Sequence, residues 1–414
     1  MNVLRSAAAL AAVGVLAAAT PAIADGASPS ASPKPPALPS GLYGKTDPKY
    51  DGVWRQSLAL LAQRTVHVTP APKAVDWLTG QQCASGAFPA FRAEPRKACD
   101  AKVMVDTNST AAAVQALAAT GGHSDVTKSA IAWLKSAQNK DGGWGYTAGG
   151  PSDANSTAVV IGALAATGTK PADVVKDGKS PYDALLTFAL PCSGDDAGAF
   201  AYQPDKKGKL AANADATAAA VLGALGQGMA AGAGKDAAKE DGKKAGAGCT
   251  DSGKATPERA AANGAAYLAD AVAKTGHLTS VMPGADAQPD FGNTADAVVA
   301  LAAQGGTERT GKPLKWLEKN ASAWAGQSGP AAYAQLIFAA HAAGTDPHDF
   351  GGMDLVRALN ATGPAPAVQP KPKPAVEDEQ KSGGRGWWIG GAGLVAGIGV
   401  GLLYSGRKKK QQQA

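Results

Sequence analysis

Residues 138–168 read QNKDGGWGYTAGGPSDANSTAVVIGALAATG, a stretch that joins two unlike halves. The first, with the KSAIAWLKSA that precedes it (128–137), is an amphipathic helix stopped by a Gly-Gly-Trp turn. The second opens on Asp-x-Asn-Ser-Thr and becomes small and apolar on every side before it ends in Gly. A polar start and a glycine stop predict a capped helix. Polar positions around an apolar stripe predict an outer helix, and apolar residues all round predict one buried within the fold.

Both halves recur along the chain, the signature of a repeat architecture. KAVDWLTGQQCASGAF (73–88) superposes on 128–144 with Trp77 on Trp133, Gln82 on Gln138, Gly86 on Gly142 and Phe88 on Trp144. DALLTFALPCSGDDAGAF (183–200), AAYLADAVAKTGHL (265–278) and PLKWLEKN (313–320) are fainter copies. The buried type recurs at 106–122, 153–169, 213–228 and 290–306, aligned on Thr110, Thr157, Thr217 and Thr294, and again at 328–344 with Tyr333 in place of Thr. VWRQSLALLAQ (53–63) is an inner helix with no outer helix before it, and FGGMDLVRALNAT (350–362) an outer helix with no inner helix after it. Pairing first with last gives an all-α fold of six inner and six outer helices in a closed ring. An open solenoid would need polar capping repeats at its ends.

Q-x3-G-x-[WF] followed by D-x-N-S-T-A resembles the repeats of squalene and hopene cyclases and of protein prenyltransferase β-subunits. The resemblance covers most of 43–362 and implies an α6/α6 toroid, the barrel type also found in transcobalamin and intrinsic factor. It implies fold more strongly than activity, since the repeat is a structural device. Gln82 and Gln138 are expected to accept from open amides of a neighbouring helix's first turn, with Phe88 and Trp144 packed over the joint.

The cyclase acid motif, D-x-D-D-T-A, can be tested position by position. Asp106-Thr107-Asn108-Ser109-Thr110-Ala111 and Asp153-Ala154-Asn155-Ser156-Thr157-Ala158 carry Asn where the proton-donating Asp belongs. An amide is no general acid. Asn213-Ala214-Asp215-Ala216-Thr217-Ala218 keeps the middle Asp, but Asn213 and Ala216 replace its flanking carboxylates. The five histidines (67, 123, 277, 341, 348) form no metal-ligand pattern, and no cysteine adjoins Asp in an inner helix as a prenyltransferase zinc site requires. The reading is therefore a non-catalytic module for a ligand or partner, without cofactor or metal. The alternatives are a terpenoid cyclase or prenyltransferase-like enzyme, or a polysaccharide lyase or hydrolase using Asp195, Asp196, Tyr333 or His341. Inner-helix N-termini all open at one end of a closed ring. Asp106, Asn108, Asp153, Asn155, Asn213, Asp215, Asp290 and Asn293, with Phe88, Trp144, Tyr146, Tyr202 and Phe291, are expected to rim one mouth, with exposed amides and aromatics for a large amphiphilic ligand. By the resemblance that ligand could be cobalamin-like, with a partner protein or transporter subunit supplying the lid.

The rest of the chain concerns address. Residues 1–24 end in Ala22-Ile23-Ala24 and read as a secretory signal peptide. Residues 25–42 and 363–386 are Pro-rich linkers, and 229–258 is a low-complexity insertion. WWIGGAGLVAGIGVGLLY (387–404) is long enough to span a bilayer, and the basic tail 405–414 places the C-terminus in the cytoplasm. The expected location is the cell membrane, single-pass, with the ring outside. The net charge of +6 comes largely from this tail and the Lys-rich linkers, which argues against nucleic acid. Four cysteines in a secreted chain predict two disulfides. Cys83 with Cys99 would close a short loop and Cys192 with Cys249 would pin the insertion, though spacing alone leaves the other two connectivities open.

Overall fold

The computed structural model describes residues 38–234, 248–251, 255–280, 286–305 and 307–367. The signal peptide, the apolar span 387–404, the basic tail and most of both linkers lie outside them. Among the described residues no helix is long and apolar enough to cross a membrane.

Helices dominate: α1 (Gly52–Thr65), α2 (Pro72–Gly80), α3 (Thr107–Thr120), α4 (Ser124–Ser136), α5 (Ala154–Ala166), α6 (Pro181–Leu186), α7 (Ala214–Ala224), α8 (Pro257–Ala273), α9 (Phe291–Gly305), α10 (Gly311–Ser328), α11 (Pro330–Ala343) and α12 (Leu355–Asn360). The odd-numbered helices pack in sequence, α1 on α3, α3 on α5 and so on to α11, and α11 packs back on α1. They form a closed inner ring. The even-numbered helices lie outside it, each against an inner neighbour. The two faint outer copies are longer than expected: α8 begins at Pro257, inside the segment read as insertion, and α10 extends to Ser328.

Composition explains the division. In α5, Val160, Ile161, Ala163 and Leu164 are completely buried although they point in different directions round the helix. In α4 only one stripe, Ala130, Ile131 and Leu134 with Thr127, is buried. Small side chains let the inner helices approach closely enough for this packing.

Four outer helices, α2, α4, α6 and α8, return to the next inner one through the same joint, while α10 passes to α11 through Gly329 alone. A buried aromatic or aliphatic residue offers its backbone N–H to the Thr of the inner helix: Phe88 to Thr110 Oγ1 (2.9 Å), Trp144 to Thr157 (3.1 Å), Phe200 to Thr217 (2.9 Å) and Leu278 to Thr294 (3.0 Å). In the first repeat Gln56 takes the part of Thr, its Oε1 accepting from Tyr43 N at 2.8 Å. Two joints become short antiparallel ribbons. In one, β1 (Phe88–Pro89) pairs with β2 (Val105–Asp106), setting Phe88 opposite Asp106. In the other, β3 (Leu278–Ser280) pairs with β4 (Gln288–Asp290), setting Leu278 opposite Asp290.

The glutamines act in the opposite sense to the one expected. Gln138 Nε2 donates to the carbonyls of Gly142 (2.9 Å) and Val174 (3.0 Å), and Gln82 Nε2 to those of Gly86 and Val126 (both 2.9 Å). They satisfy carbonyls across the joint and accept from no amide there. The joint is tight enough to require glycine: at Gly142, φ is +90° and a Cβ would lie 2.2 Å from Ser180 O.

Both disulfides join the pairs favoured by chain order. Cys83–Cys99 and Cys192–Cys249 have Cα separations of 5.6 and 5.3 Å. The ends of the ring meet at a seam of side chains. Gln63 Nε2 donates to Asn360 Oδ1 at 2.6 Å, and the fully buried Tyr43 places its hydroxyl 3.1 Å from Pro364 O.

Candidate functional site

Thr110, Thr157, Thr217 and Thr294, with Gln56 of α1 and Tyr333 of α11 at the same position, give the inner helices a common register. Two positions before the Thr stand Asn108, Asn155, Asp215, Gly292 and Ala331, and in α1, counted from Gln56, Trp54. All six are partly open. Two positions after it stand Leu58, Ala112, Val159, Ala219, Asp296 and Gln335, of which the last four, on consecutive helices, are partly open and the first two are buried. Five positions after it stand Leu61, Gln115, Gly162, Leu222, Val299 and Phe338, all buried. Exposure therefore fades along the ring axis. The inner helices enclose a cup that opens at their N-termini, is deeper toward α5–α11, and is sealed at the third layer. From first to third layer is seven residues, or ~10 Å at 1.5 Å per residue.

Two polar contacts line the cup. In the upper layer Asn155 Nδ2 donates to Asp215 Oδ2 at 2.7 Å. In the layer below, Gln335 Nε2 donates to Asp296 Oδ2 at 3.0 Å. The Oδ1 atoms of Asn108 and Asn155 are buried and make no protein hydrogen bond. Burial by the surrounding walls raises Asp296 to about 7, with Asp215 and then Asp290 adding repulsion and the Gln335 bond opposing the shift. Asp215 is raised as well, first by burial, against the bond from Asn155. Both carboxyls are partly open to the cup yet walled in by protein, and these walls make ionisation costly.

The rim residues divide sharply in role. Asp106, 2 % exposed, accepts from Ser109 N at 2.6 Å, and burial lifts it to about 6. Asp153, fully buried, accepts from Ser156 N (2.7 Å) and Oγ (2.8 Å) and from the Tyr202 hydroxyl. Burial, followed by the Asp153 and Asp215 charges, pushes Tyr202 up to about 12. Asn213 caps α7 through Ala216 N (2.8 Å), and Asp290 holds both Asn293 N (3.0 Å) and Nδ2 (2.8 Å). These are helix caps, and they correct the expectation of open amides at α3, α5, α7 and α9, where the third amide of the helix is already taken; α1 and α11 carry no side-chain cap.

Trp144 is also corrected. It is completely buried, with its indole N–H on Leu134 O at 2.7 Å, so its ring fills the joint and is closed to any ligand. Phe88 is equally buried. Tyr146, 43 % exposed, is open at the rim, where partial burial and then the charge of Asp106 raise its hydroxyl. Phe291, at the start of α9, stacks on Trp324 (5.5 Å) and meets Trp316 at a tilt (4.8 Å). The residues offered for a lyase or hydrolase do not come together: Asp195 and Asp196 are exposed in the turn after α6, and His341 is eight residues below Tyr333 on α11. Among the described residues no group of three or more His, Cys, Asp or Glu could hold a metal ion.

Asp296 and Gln335 are absent from the sequence-based site. The signal was present, since they occupy the register position where the other copies carry Leu58, Ala112, Val159 and Ala219.

No family model matches the chain, and no curated protein matches it. Among solved structures, the chain is similar to ent-copalyl diphosphate synthase from Streptomyces platensis at 14% identity and a TM-score of 0.45, over 71% of this chain and 50% of that one. It thus spans about half the length of the synthase. It is similar to a sugar epimerase from a ruminal bacterium at 15% identity and a TM-score of 0.43, over 68% of this chain and 80% of that one. A protein from Actinoplanes is similar at 16% identity and a TM-score of 0.32, over 70% of this chain and 100% of that one.

Proposed function

We propose that the protein is a membrane-tethered, extracytoplasmic toroid of the prenyltransferase and squalene cyclase type that binds a ligand in the cup of its ring. The observation that carries this reading is the layered exposure of the inner helices, which ends on Asp296 and Gln335. Such a cup offers amide donors and acceptors from Asn108, Asn155 and Gln335 and carboxyls from Asp215 and Asp296. It suits a head group rich in hydroxyls or amides and without negative charge; a diphosphate would meet carboxylates and capped helix ends. A corrinoid, which bears amides, belongs to the favoured class, with a partner as lid over the rim. The two disulfides support an oxidising compartment. The test is a thermal-shift series on the full-length protein in detergent with cobalamins, polyprenyl lipids and cell-wall glycans. Binding predicts a saturable shift that the Asp215→Asn, Gln335→Leu double variant loses. If none of these ligands gives a shift sensitive to the double variant, the reading fails.

A second reading is favoured by the place of Asp296, a carboxyl partly open on the cup wall and held by Gln335, which burial raises to about 7. A carboxyl that keeps much of its proton at neutral pH has the protonation state a general acid needs. On this reading the ring is an enzyme in which Asp296 donates the proton. Turnover of a bound ligand, abolished in Asp296→Asn while binding persists, would establish it and end the non-catalytic reading.

A further inference from the structure

After α7 the chain does not leave the ring but turns beneath it. Residues 226–234, GQGMAAGAG, run under the C-terminal ends of the inner helices. Met229 N donates to Gln115 Oε1 of α3 at 3.0 Å, and Gly234 N to Ala302 O of α9 at 3.0 Å. A Cβ at Gly228 would lie 2.3 Å from Gln115 Oε1, and one at Gly162 of α5 would lie 2.8 Å from Gly228 Cα. At Gly232 a Cβ would stand 3.6 Å from His341 Nε2 of α11. A single strap thus starts from α7 and touches α3, α5, α9 and α11. Its Ala230 and Ala231, with Leu61, Gln115 and Gly162 of the sealed layer, border a hollow of ≈ 410 Å³ on the underside.

We infer that residues 226–234 are the floor of a blind cup, and that the ring selects its ligand by length. This rests on the binding reading above and narrows it: the bound part is a compact head group seated in ~10 Å of depth, and no chain threads the ring. The contacts are specific to the strap. Gln115 is only 3 % exposed and spends its amide on this segment and on Val159 O (3.1 Å). Glycine at 228 is what allows the backbone to lie against it.

The test reads the floor without any ligand, so its failure and the failure of the binding reading are separate results. All four cysteines are paired, and one introduced cysteine is then the sole free thiol. Ala219→Cys places it on the open wall, and Val299→Cys, near-isosteric, places it in the sealed layer, where Val299 is 2 % exposed. In the full-length protein with its strap intact, a maleimide is expected to label Cys at 219 and spare Cys at 299. Adding Gly228→Leu displaces the strap, and labelling at 299 is expected to rise at least about tenfold while 219 is unchanged. Gln115→Ala removes the strap's acceptor without adding bulk and serves if Gly228→Leu fails to fold; the expected direction is the same. Equal labelling at 219 and 299 with the strap intact overturns the inference. So does continued protection at 299 in a folded strap variant.

Discussion

Replacing Asp296 by Asn removes a carboxyl that the fold holds protonated far above its ordinary range. The raised value means that the native state keeps a proton that the unfolded chain has already released. Asp296 therefore contributes least unfavourably below about pH 4, and stability is lost as pH rises toward and through about 7. A rise from 3.8 to about 7 sets a ceiling of ~4 kcal/mol at alkaline pH, at 1.36 kcal/mol per unit. Water in the cup screens the charge, and Asp215 shares the repulsion, so about half of that, ~2 kcal/mol, is expected. Asn keeps an oxygen for Gln335 Nε2, so the substitution isolates the charge. In urea denaturation, wild type and Asp296→Asn should be nearly alike below about pH 4 and begin to part by pH 4.5. By pH 8 the variant should be ~2 kcal/mol more stable, about 3 °C in melting temperature at ~2.1 cal/mol/K per residue. Parallel stability profiles from pH 4.5 to 8 would refute the placement of Asp296 in a low-dielectric wall.

Asn155→Asp sets a second carboxylate against Asp215 in place of a 2.7 Å hydrogen bond, so the variant should lose stability more steeply with rising pH than wild type, read in the same titration. Thr217→Val keeps shape but leaves the buried Phe200 N–H without its acceptor; a loss of ~1–3 kcal/mol is expected in thermal unfolding, with Thr217→Ser largely spared. Gln138→Leu strips the carbonyls of Gly142 and Val174 of their donor and should cost ~2 kcal/mol by denaturant titration, more than Gln82→Leu, whose site is more open. Cys192→Ser with Cys249→Ser frees a loop with a sequence separation of 57, and loop entropy alone predicts a loss of about 4 kcal/mol by the same measurement.

The ring was legible because its repeats carry the marks of their places. Apolar-all-round segments can only be inner, striped ones outer, and the count closes only if first meets last. The Thr shared by α3, α5, α7 and α9 is visible as an alignment mark, but its task, accepting one backbone N–H from the joint, is not. Gln138 was placed at the right joint with the wrong polarity, because an amide side chain both donates and accepts and sequence does not say which partner is in reach. Trp144 looked like a rim aromatic since it precedes a rim loop; only packing shows the ring turned into the joint. The cyclase register reaches Asp215 and no further, and Asp296 lies one turn beyond that position on its own helix. Residues 229–234 read as insertion because Gly and Ala carry no pattern, although their smallness is what lets the strap lie under the ring.

The seam between α1 and α12 has a mechanical meaning. In a linear array the outermost units have one neighbour each and fray, so such molecules come apart from their ends. A circle has no outermost unit. Here the circle is closed by α11 on α1 and latched by Tyr43, Gln63, Asn360 and the backbone of Pro364. With α11 packed on α1 no inner helix is terminal, and a pull on the chain beyond Pro364 loads the Ala367 N–H to Thr69 O bond and then this seam before it reaches the packed helices.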